Sequence, residues 1–544
     1  MFLRINRVFS LTYFLFFIGI LGRLHQPTTA LMADFNLPLD SLASAANAYA
    51  SANGVQVEKK RTDGTTEYSY FECAPISLLP NAYPRAAFEQ AQSLAPSFNL
   101  LVDRISRDGA FLQKTLGGGV SEADPYTAQL LRLYREIYVD IPNQHAAQAD
   151  RLGIHRSDYM LHEGNNIKQV ELNTIASSFA GLSSKVASLH LFLCQRFAGS
   201  VQSFMDMNKR AVLGDASSSS TENDAVPINP TMECLPAAFN VAMKRYEERF
   251  GVKQAIVLFV VQQGESNTVD QRMLEFNLFE RYNIMVVRKS LRQLRAELIV
   301  DEETGAISIA EGEIAIVYYR AGYAPTDYPD GYDGVEWQAR AMLEKSRATK
   351  SPNLGYHLAG TKKVQQELAR PGVLERFIDD ADMALRMRKA FAGLYSLGED
   401  ATGADLDALQ KVLEGGQAKY VLKPQREGGG YNFYGDNLAE KIRANVQVGS
   451  DKKMKLDKSL GEYILMERLF PPEQKAILLR SGRIEGSGDS ISELGCFGTI
   501  VASCDGDVVH NEYGGFLLRT KFSNVDEGGV ASGFATLSSP YLVS

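Results

Sequence analysis

Residues 423–435 read KPQREGGGYNFYG. Gly428, Gly429 and Gly430 follow Lys423, Pro424, Gln425, Arg426 and Glu427, and Tyr431, Asn432 and Tyr434 come straight after. A glycine triplet forgoes side-chain packing and has a high backbone entropy, so its use is where something must approach bare backbone closely. A phosphate chain fits that need, because successive N–H groups can converge on its oxygens. The stretch has neither the P-loop spacing GxxxxGK[ST] nor a GxGxxG turn into a helix, so on its own it also reads as a surface hairpin loop. Its surroundings favour the phosphate. AKYVLKPQ reads as a strand running into the triplet, and EYILMERL, ISELGCFGTIV and GFLLRTK read as further strands. A glycine loop between antiparallel strands is the arrangement that closes a lid over nucleotide phosphates.

Composition narrows the classes. The chain has 544 residues, 22% charged and 45% hydrophobic, with a net charge of −8. This is an ordinary globular composition, long enough for several domains. Lys and Arg form only short runs, which argues against the basic face that nucleic acid needs. Five scattered cysteines (Cys73, Cys194, Cys234, Cys496, Cys504) show no CxxC spacing and no disulfide framework. The seven histidines do not cluster with them, which argues against zinc. MFLRINRVFSLTYFLFFIGILGR has a basic start and an apolar run from Val8 to Leu21, too short to span a bilayer comfortably, with Thr28 and Ala30 as a small-x-small site. Residues 1–31 are therefore set apart as a targeting or signal-like extension, or as an upstream stretch preceding Met32. The mature protein is expected to have no stable membrane association.

Further along, LASAANAYASANGV, FEQAQSLAPSFNLLVDRI and DPYTAQLLRLYREIYVDI carry helical periodicity. IKQVELN (167–173) alternates as a strand and LSSKVASLHLFLCQRF follows as a helix, while GDASSSSTENDAV (214–226) reads as a solvated loop. After Gly251 the texture changes. KQAIVLFVV, NIMVVR and EIAIVYYR are strands, DQRMLEFNLFERY and VEWQARAMLEKSRA (335–348) are helices, and the alternation predicts a parallel α/β unit.

Four other stretches supply chemistry. Glu171 and Asn173 alternate on one strand and project from one face. Two such oxygen ligands suit Mg2+, although a solvated strand face has the same pattern. Lys362 and Lys363 open a helical segment, where a helix N-terminus disfavours cations unless they reach a phosphate. Met466, Glu467, Arg468 and Leu469 end a strand whose backbone can hydrogen-bond a flat base. Arg519 and Lys521 precede a second loop with glycines at 528, 529 and 533, either a mobile turn or a second lid.

An ordered series of longer motifs then carries a resemblance: HRSDYM (155–160), QVELNTIASSFAGL (169–182), HLAGTKKVQQELARPG (357–372), FAGLYSL (391–397), YVLKPQREGGG (420–430), YILMER (463–468), SELGCFG (492–498) and LLRTK followed by GGVASG (517–533). Over residues 40–544 the chain resembles the eukaryotic glutathione synthetases. The resemblance implies an α+β / α/β architecture of the ATP-grasp type, with a glycine-rich lid and an inserted α/β substrate-binding domain. The implied divisions are 40–252 and 362–544 for the ATP-grasp parts and 253–361 for the insert.

It also implies site roles. Glu171, Asn173 and Glu427 resemble Mg2+ ligands. Lys362 and Lys423 resemble phosphate contacts, and Pro424, Gln425, Arg426, Gly428 to Gly430, Tyr431, Asn432 and Tyr434 the nucleotide loop. Met466 to Leu469 resemble the adenine strand, with Glu493, Lys521 and Glu527 as further ATP contacts. Arg156, Ile175, Ala176, Ser177, Ser178, Glu265, Ser266, Asn267, Gln271, Arg320, Ala321, Gly322 and Tyr323 fall where γ-glutamylcysteine is held. Arg519, Val530 and Ala531 resemble the carboxylate contact and lid. Arg156, Lys362, Lys423 and Arg519 form the implied catalytic set.

The sequence departs from the family pattern at four places. Ile-Ala-Ser-Ser replaces Ile-Ser-Ala-Ser, so Ala176 has no hydroxyl. Arg-Ala-Gly-Tyr replaces Arg-Asp-Gly-Tyr, so Ala321 has no carboxylate. Glu527 stands for aspartate and Leu469 for isoleucine. The expected reaction is ATP-driven ligation of γ-glutamylcysteine to glycine through an acyl phosphate, by a homodimer in the cytoplasm, a plastid or a mitochondrion. Use of another amine such as β-alanine, and an inactive nucleotide-binding regulator, are the alternatives. Val530 and Ala531 favour glycine, and retention of Glu171, Asn173, Glu427 and both lysines favours an active enzyme.

Overall fold

The computed structural model describes residues 37–62, 67–214, 224–425, 431–450 and 453–544. Twelve strands position the site: β1 (Arg151–His162), β2 (Asn166–Asn173), β3 (Ile256–Val260), β4 (Val286–Lys289), β5 (Gly312–Tyr319), β6 (Thr349–Ser351), β7 (Leu394–Ser396), β8 (Tyr420–Pro424), β9 (Phe433–Tyr434), β10 (Tyr463–Glu467), β11 (Arg483–Ala502) and β12 (Val508–Phe522).

A 13-stranded mixed sheet runs through the molecule and contains the path β12–β11–β1–β6–β5–β3–β4. On one side of β1 the neighbours are antiparallel: β1 pairs with β11 over ten positions, and β11 pairs with β12. On the other side β1–β6, β6–β5, β5–β3 and β3–β4 are all parallel. Near its carboxyl end, the edge of β1 opposite β11 pairs with β2. β1 is therefore the seam between an antiparallel half and the parallel unit anticipated after Gly251.

The parallel unit forms where its composition dictates. The five residues Ile256–Val260 are all buried, as a strand covered on both faces must be. Ile256, Leu258 and Val260 belong to one core cluster, and Val257 and Phe259 to another, so the strand's alternation feeds apolar layers on opposite faces. The preceding helix Thr231–Phe250 stops at Gly251, whose φ of 67° is the left-handed C-terminal cap that favours glycine. Helix Thr268–Tyr282 lies between β3 and β4 as the periodicity predicts.

Two elements differ from the sequence reading. The helix expected over 335–348 ends at Lys345, because Thr349–Ser351 is drawn into the sheet between β5 and β1. The DPYTAQLLRLYREIYVDI helix is α-helical over Pro125–Arg135, capped by the Asp124 carboxylate on the N–H groups of Tyr126 and Thr127, and widens to a π turn over Glu136–Asp140. Most of the expected polar loop 214–226 lies outside the described residues, as do Arg426, Glu427, Gly428, Gly429 and Gly430.

A separate four-stranded antiparallel sheet has the order β7–β10–β8–β9. One of its faces packs Tyr420, Leu422 and Leu465 into a small core with Leu409, Leu438 and Ile442. Val421 and Met466, one residue out of phase, turn the other way and meet Met160 and Val170 of the large sheet. The hairpin β8–β9, which pairs Val421 with Tyr434 and Leu422 with Phe433, brackets the glycine triplet.

Candidate active site

Strand register gathers the site. Directly opposed residues in an antiparallel pair point to the same face. Arg156 lies opposite Asn173, and Asp158 opposite Glu171. Across the other edge of β1, Asp158 lies opposite Gly495 and Met160 opposite Glu493, and Glu493 lies opposite Arg519. Ile491 lies opposite Lys521 two residues on. One face of four adjoining strands thus carries Glu171, Asn173, Arg156, Asp158, Glu493, Arg519 and Lys521. The four-stranded sheet faces it with Val421, Lys423, Tyr434 and Met466. Together they enclose a cavity of about 580 Å³.

The floor is a continuous ion and hydrogen-bond network. Arg156 donates from Nε to Asp158 Oδ1 at 2.7 Å and from Nη2 to Oδ2 at 2.8 Å. Arg519 Nη2 donates to Asp158 Oδ2 at 2.8 Å and also to Glu493. Asn173 Nδ2 donates to Asp158 Oδ2 at 3.0 Å and to Glu171 Oε1 at 3.2 Å. Lys362 Nζ lies 3.4 Å from Glu171 Oε2. From the roof, Lys423 Nζ donates to the Val170 carbonyl at 3.3 Å.

Charge and burial set the protonation states. Burial pushes the Glu171 carboxyl up, but Lys362, Lys423, Arg519 and Arg156 outweigh it and hold the group well below the usual carboxylate range. Burial also pushes Glu493 up; Asp158 and Glu171 add to this against Arg519, and the net shift is upward. Lys423 is lowered to about 8, by burial first and by Lys362, against the pull of Glu171. Burial lowers Lys521 as well. Opposed shifts gathered in one cavity mark it as a candidate functional site.

The paired lysines part company. Lys363 Nζ bonds Gln366 at 2.7 Å, Ser396 at 2.8 Å and Asp400 at 2.5 Å, away from the cavity. It ties its helix to the β7 region, leaving Lys362 as the lysine of the site.

The two glycine-bearing segments are joined across the sheets. Asn432 donates from its backbone N to Glu527 Oε1 at 3.3 Å and from Nδ2 to Oε2 at 3.2 Å. Arg468 bonds Asp526 at 2.9 Å and lies 5.5 Å from the centre of the Tyr434 ring. Lys521 Nζ donates to the Asp526 carbonyl. Val530 is buried in the core, and the Gly529 carbonyl accepts from the Phe534 and Ala535 N–H groups, so 528–533 is an anchored turn rather than an open strap. Ala531 lines the cavity beside it.

Met466 to Leu469 all border the cavity. The N–H of Glu467 is taken by the Gly393 carbonyl and that of Arg468 by Lys419. A base at this edge would meet carbonyl oxygens, or the backbone beyond Arg468.

The remaining candidates divide. Ile175, Ala176, Ser177, Ser178 and Tyr323 line the cavity. Ala176 has φ 50° and Phe179 φ 71°, a bent segment fixed by the Asp270 carboxylate, which accepts from the N–H groups of Phe179, Gly181 and Leu182. Arg320 is buried behind it and donates to the Ser177 carbonyl at 2.8 Å and Ser178 Oγ at 2.7 Å. Glu265, Ser266, Asn267, Gln271, Ala321 and Gly322 are not on the cavity wall. Glu265 accepts from Asn267 N and Gln271 Nε2, and Gln271 accepts from Arg288. The Ala321–Tyr323 turn is closed by Asp327, whose Oδ2 accepts from Gly322, Tyr323 and Ala324. Gln425 accepts from the Lys363 N–H at the start of its helix, and Pro424 and Tyr431 border a separate, shallower opening.

Sequence reasoning overlooked Asp158 and Asp270. Asp158 stands two residues after Arg156, so period-two alternation alone places it on the same face. Nothing in the local sequence around Asp270 signals its reach to the 179–182 turn, 88 to 91 residues away in the chain.

A family model described as the eukaryotic glutathione synthase ATP-binding domain matches residues 37–542. Glutathione synthetase of Solanum lycopersicum (chloroplastic) is 41% identical over 473 residues, covering 86% of this chain and 78% of that protein. Those of Dictyostelium discoideum (37%) and Homo sapiens (35%) cover 91% and 93% of this chain, and 97% of each relative. Among solved structures, the apo form of a glutathione synthetase-like effector from Globodera pallida superposes with a TM-score of 0.64 at 20% identity, covering 96% of this chain and 98% of that one. That likeness bears on the fold.

Proposed function

The chain belongs to the eukaryotic glutathione synthetase family, and we propose that the cavity between its two sheets is where ATP drives the joining of γ-glutamylcysteine to glycine. The enzyme is an ADP-forming ligase that makes glutathione. The observation that carries the site assignment is the convergence of Glu171 and Asn173 with Lys423, Arg156 and Arg519 on facing walls of one cavity, with Lys362 reaching Glu171 at 3.4 Å. The two facing sheets are read as the halves of an ATP-grasp fold, with 253–361 as the inserted substrate-binding part between 40–252 and 362–544.

The donor set suits Mg2+. Glu171 is held ionised, and Asn173 uses its Nδ2 on two carboxylates, which leaves Oδ1 as the amide's ligand atom. When bound, the ion neutralises phosphate charge. Glu427 is assigned to the same set by family resemblance and lies outside the described residues.

The chain's own groups do the rest. Lys362 and Lys423 hold phosphate oxygens, while the Met466–Leu469 edge receives the base. Arg156 and the Ser177–Ser178 segment hold the dipeptide so that its cysteinyl carboxylate oxygen meets the γ-phosphorus in line. ADP leaves, and the acyl phosphate forms. The glycine amine then attacks the acyl carbon, the C–O bond to phosphate breaks, and the amine gives up its proton as phosphate departs. Arg519 balances the charge developing on the acyl phosphate oxygens, and the segments joined by Asn432 and Glu527 keep water away. No side chain serves as nucleophile.

We assign the assembly as a homodimer, which light scattering tests. Among the described residues no helix is long and apolar enough to cross a membrane, and two plant relatives are named as chloroplastic. An organelle or the cytoplasm is the assigned compartment.

The test is phosphate release by the purified protein with ATP, Mg2+ and γ-glutamylcysteine, adding glycine or β-alanine. Release is expected to depend on glycine and to match glutathione formed. Release without an amine, or preference for β-alanine, overturns the reading.

A further inference from the structure

Three carboxylates, Asp158, Glu171 and Glu493, offer oxygens within 4.8 Å of one another. They are not equivalent. Asp158 is fully buried, and its two oxygens accept four donors: Arg156 Nε and Nη2, Arg519 Nη2 and Asn173 Nδ2. Three of these donors fill Oδ2 and the fourth holds Oδ1, so both oxygens are engaged by the arginines and the amide. Arg156 and Arg519 meet at the same oxygen, Oδ2, with only 6% and 14% of their side chains exposed. Two guanidinium groups this close in a dry site would separate without an anion between them. The bidentate grip also fixes the plane of Arg156. Both arginines line the cavity, and Arg519 Nε is buried with no partner among the described residues.

We infer that Asp158 is a positioning residue that sets Arg156 and Arg519 as a matched pair on the reacting carboxylate of the dipeptide. This rests on the dipeptide assignment made above for those two arginines. It distinguishes Asp158 from Glu171: one carboxylate orients cations, the other is free to take a ligand. Asp158 also lies opposite Gly495, where a side chain would meet Asp158 Oδ1 at 2.7 Å and Arg156 Cδ at 2.8 Å. The floor has been cleared for this pair.

The test is Asp158→Asn, which keeps the shape and removes the charge. kcat/KM for γ-glutamylcysteine is expected to fall about a hundredfold, the loss typical of a misplaced substrate group. The calorimetric Kd for ATP and the Mg2+ activation constant should each change less than about threefold. Gly495→Ala, which crowds the pair without changing any charge, should show the same pattern if Asp158→Asn does not fold. In an Arg519→Lys background the Asp158→Asn loss should shrink, since residues acting through one another are not additive. An unchanged dipeptide kcat/KM overturns the inference. A shifted Mg2+ constant overturns it in favour of a metal ligand, and an equal loss of ATP affinity in favour of a general structural role. Wild-type turnover tests the reading of function, whereas the variant-to-wild-type ratios test this one.

Discussion

Replacing Gly495 with alanine adds one methyl group to the middle of β11, and the structure allows the consequence to be worked out. Gly495 is not among the positive-φ glycines, so alanine suits its backbone and would ordinarily be tolerated in a strand. Space is what it lacks. The new Cβ would lie 2.7 Å from Asp158 Oδ1, 2.8 Å from Arg156 Cδ and 3.0 Å from Arg156 Nε. Ordinary contact begins near 3.4 Å, so the pair must give by about 0.6 Å or more. Neither side chain has slack, because Asp158 is fully buried and Arg156 is clamped to it at two points. Overpacking of this kind costs about 1–3 kcal/mol of stability, which a chain of this size can absorb. Displacing a substrate-orienting group by more than half an ångström is expected to cost up to about a hundredfold in rate, or ~2.7 kcal/mol of transition-state stabilisation. Steady-state phosphate release at varied γ-glutamylcysteine, with ATP binding and thermal melting followed on the same protein, measures all three. Full activity with an unchanged melt would refute the steric reasoning. Lost activity matched by a collapsed melt would refute the claim that the damage is local.

Glu171→Gln removes the ionised carboxylate proposed to hold Mg2+ while keeping its size, and should abolish ligation with the melting temperature held within a few degrees; turnover above about a tenth of wild type would count against the assignment. Lys362→Met should abolish turnover without unfolding, whereas Lys363→Met should leave the chemistry largely intact and lower stability by about 1–3 kcal/mol in denaturant melts, because Gln366, Ser396 and Asp400 lose a shared donor. Lys423, lowered to about 8, is charged below that pH and loses its proton above it, so the KM for ATP should climb from about pH 8 upward. Lys423→Arg, which stays charged, should flatten that climb, and an identical profile in the variant would rule Lys423 out as its source. Asn432→Ala removes the side-chain hydrogen bond to Glu527 Oε2, leaving only the backbone N–H on Oε1, and should raise ATP hydrolysis in the absence of glycine relative to ligation, as water reaches the acyl phosphate.

What the sequence disclosed depended on how local the signal was. Alternation in IKQVELN placed Glu171 and Asn173 together, and the same period two, applied to HRSDYM, would have found Asp158. The parallel unit after Gly251 was legible because fully buried strands such as IVLFV read as unbroken apolar runs. The sharing of one sheet by that unit and the antiparallel strands was not legible. It depends on a short strand, Thr349–Ser351, whose two polar residues and lysine carry no strand pattern and whose place is set by its neighbours β5 and β1. The separation of Lys362 from Lys363 was equally hidden. Adjacent helical residues diverge in direction, and only the positions of Glu171 and Asp400, distant in sequence, decide which lysine faces the cavity.

Electrostatics then explains why this cavity suits a nucleotide carried with its metal. Its lysines and arginines are already matched: Lys362 and Lys423 act on Glu171, Arg519 on Glu493 and Asp158, and Arg156 on Asp158. A bare polyphosphate entering this balance would bring its charge against three carboxylates within 4.8 Å of one another. In the proposed reading, divalent ions entering with the phosphates would reverse that repulsion, because Glu171 would then be attracted rather than opposed. The same balance assigns the carboxylates different tasks. Glu171, held ionised by surrounding cations, is suited to a ligand role, whereas Glu493, pushed up by burial and by its acidic neighbours, is poised to respond when a cation arrives. An arriving cation favours the ionised form of a carboxyl that burial has raised, so titrating Mg2+ into the ATP-bound protein should release protons, and Glu493→Gln should release fewer. Calorimetry in buffers of different ionisation enthalpy reads that difference, and identical proton counts for the two proteins would remove Glu493 from the response.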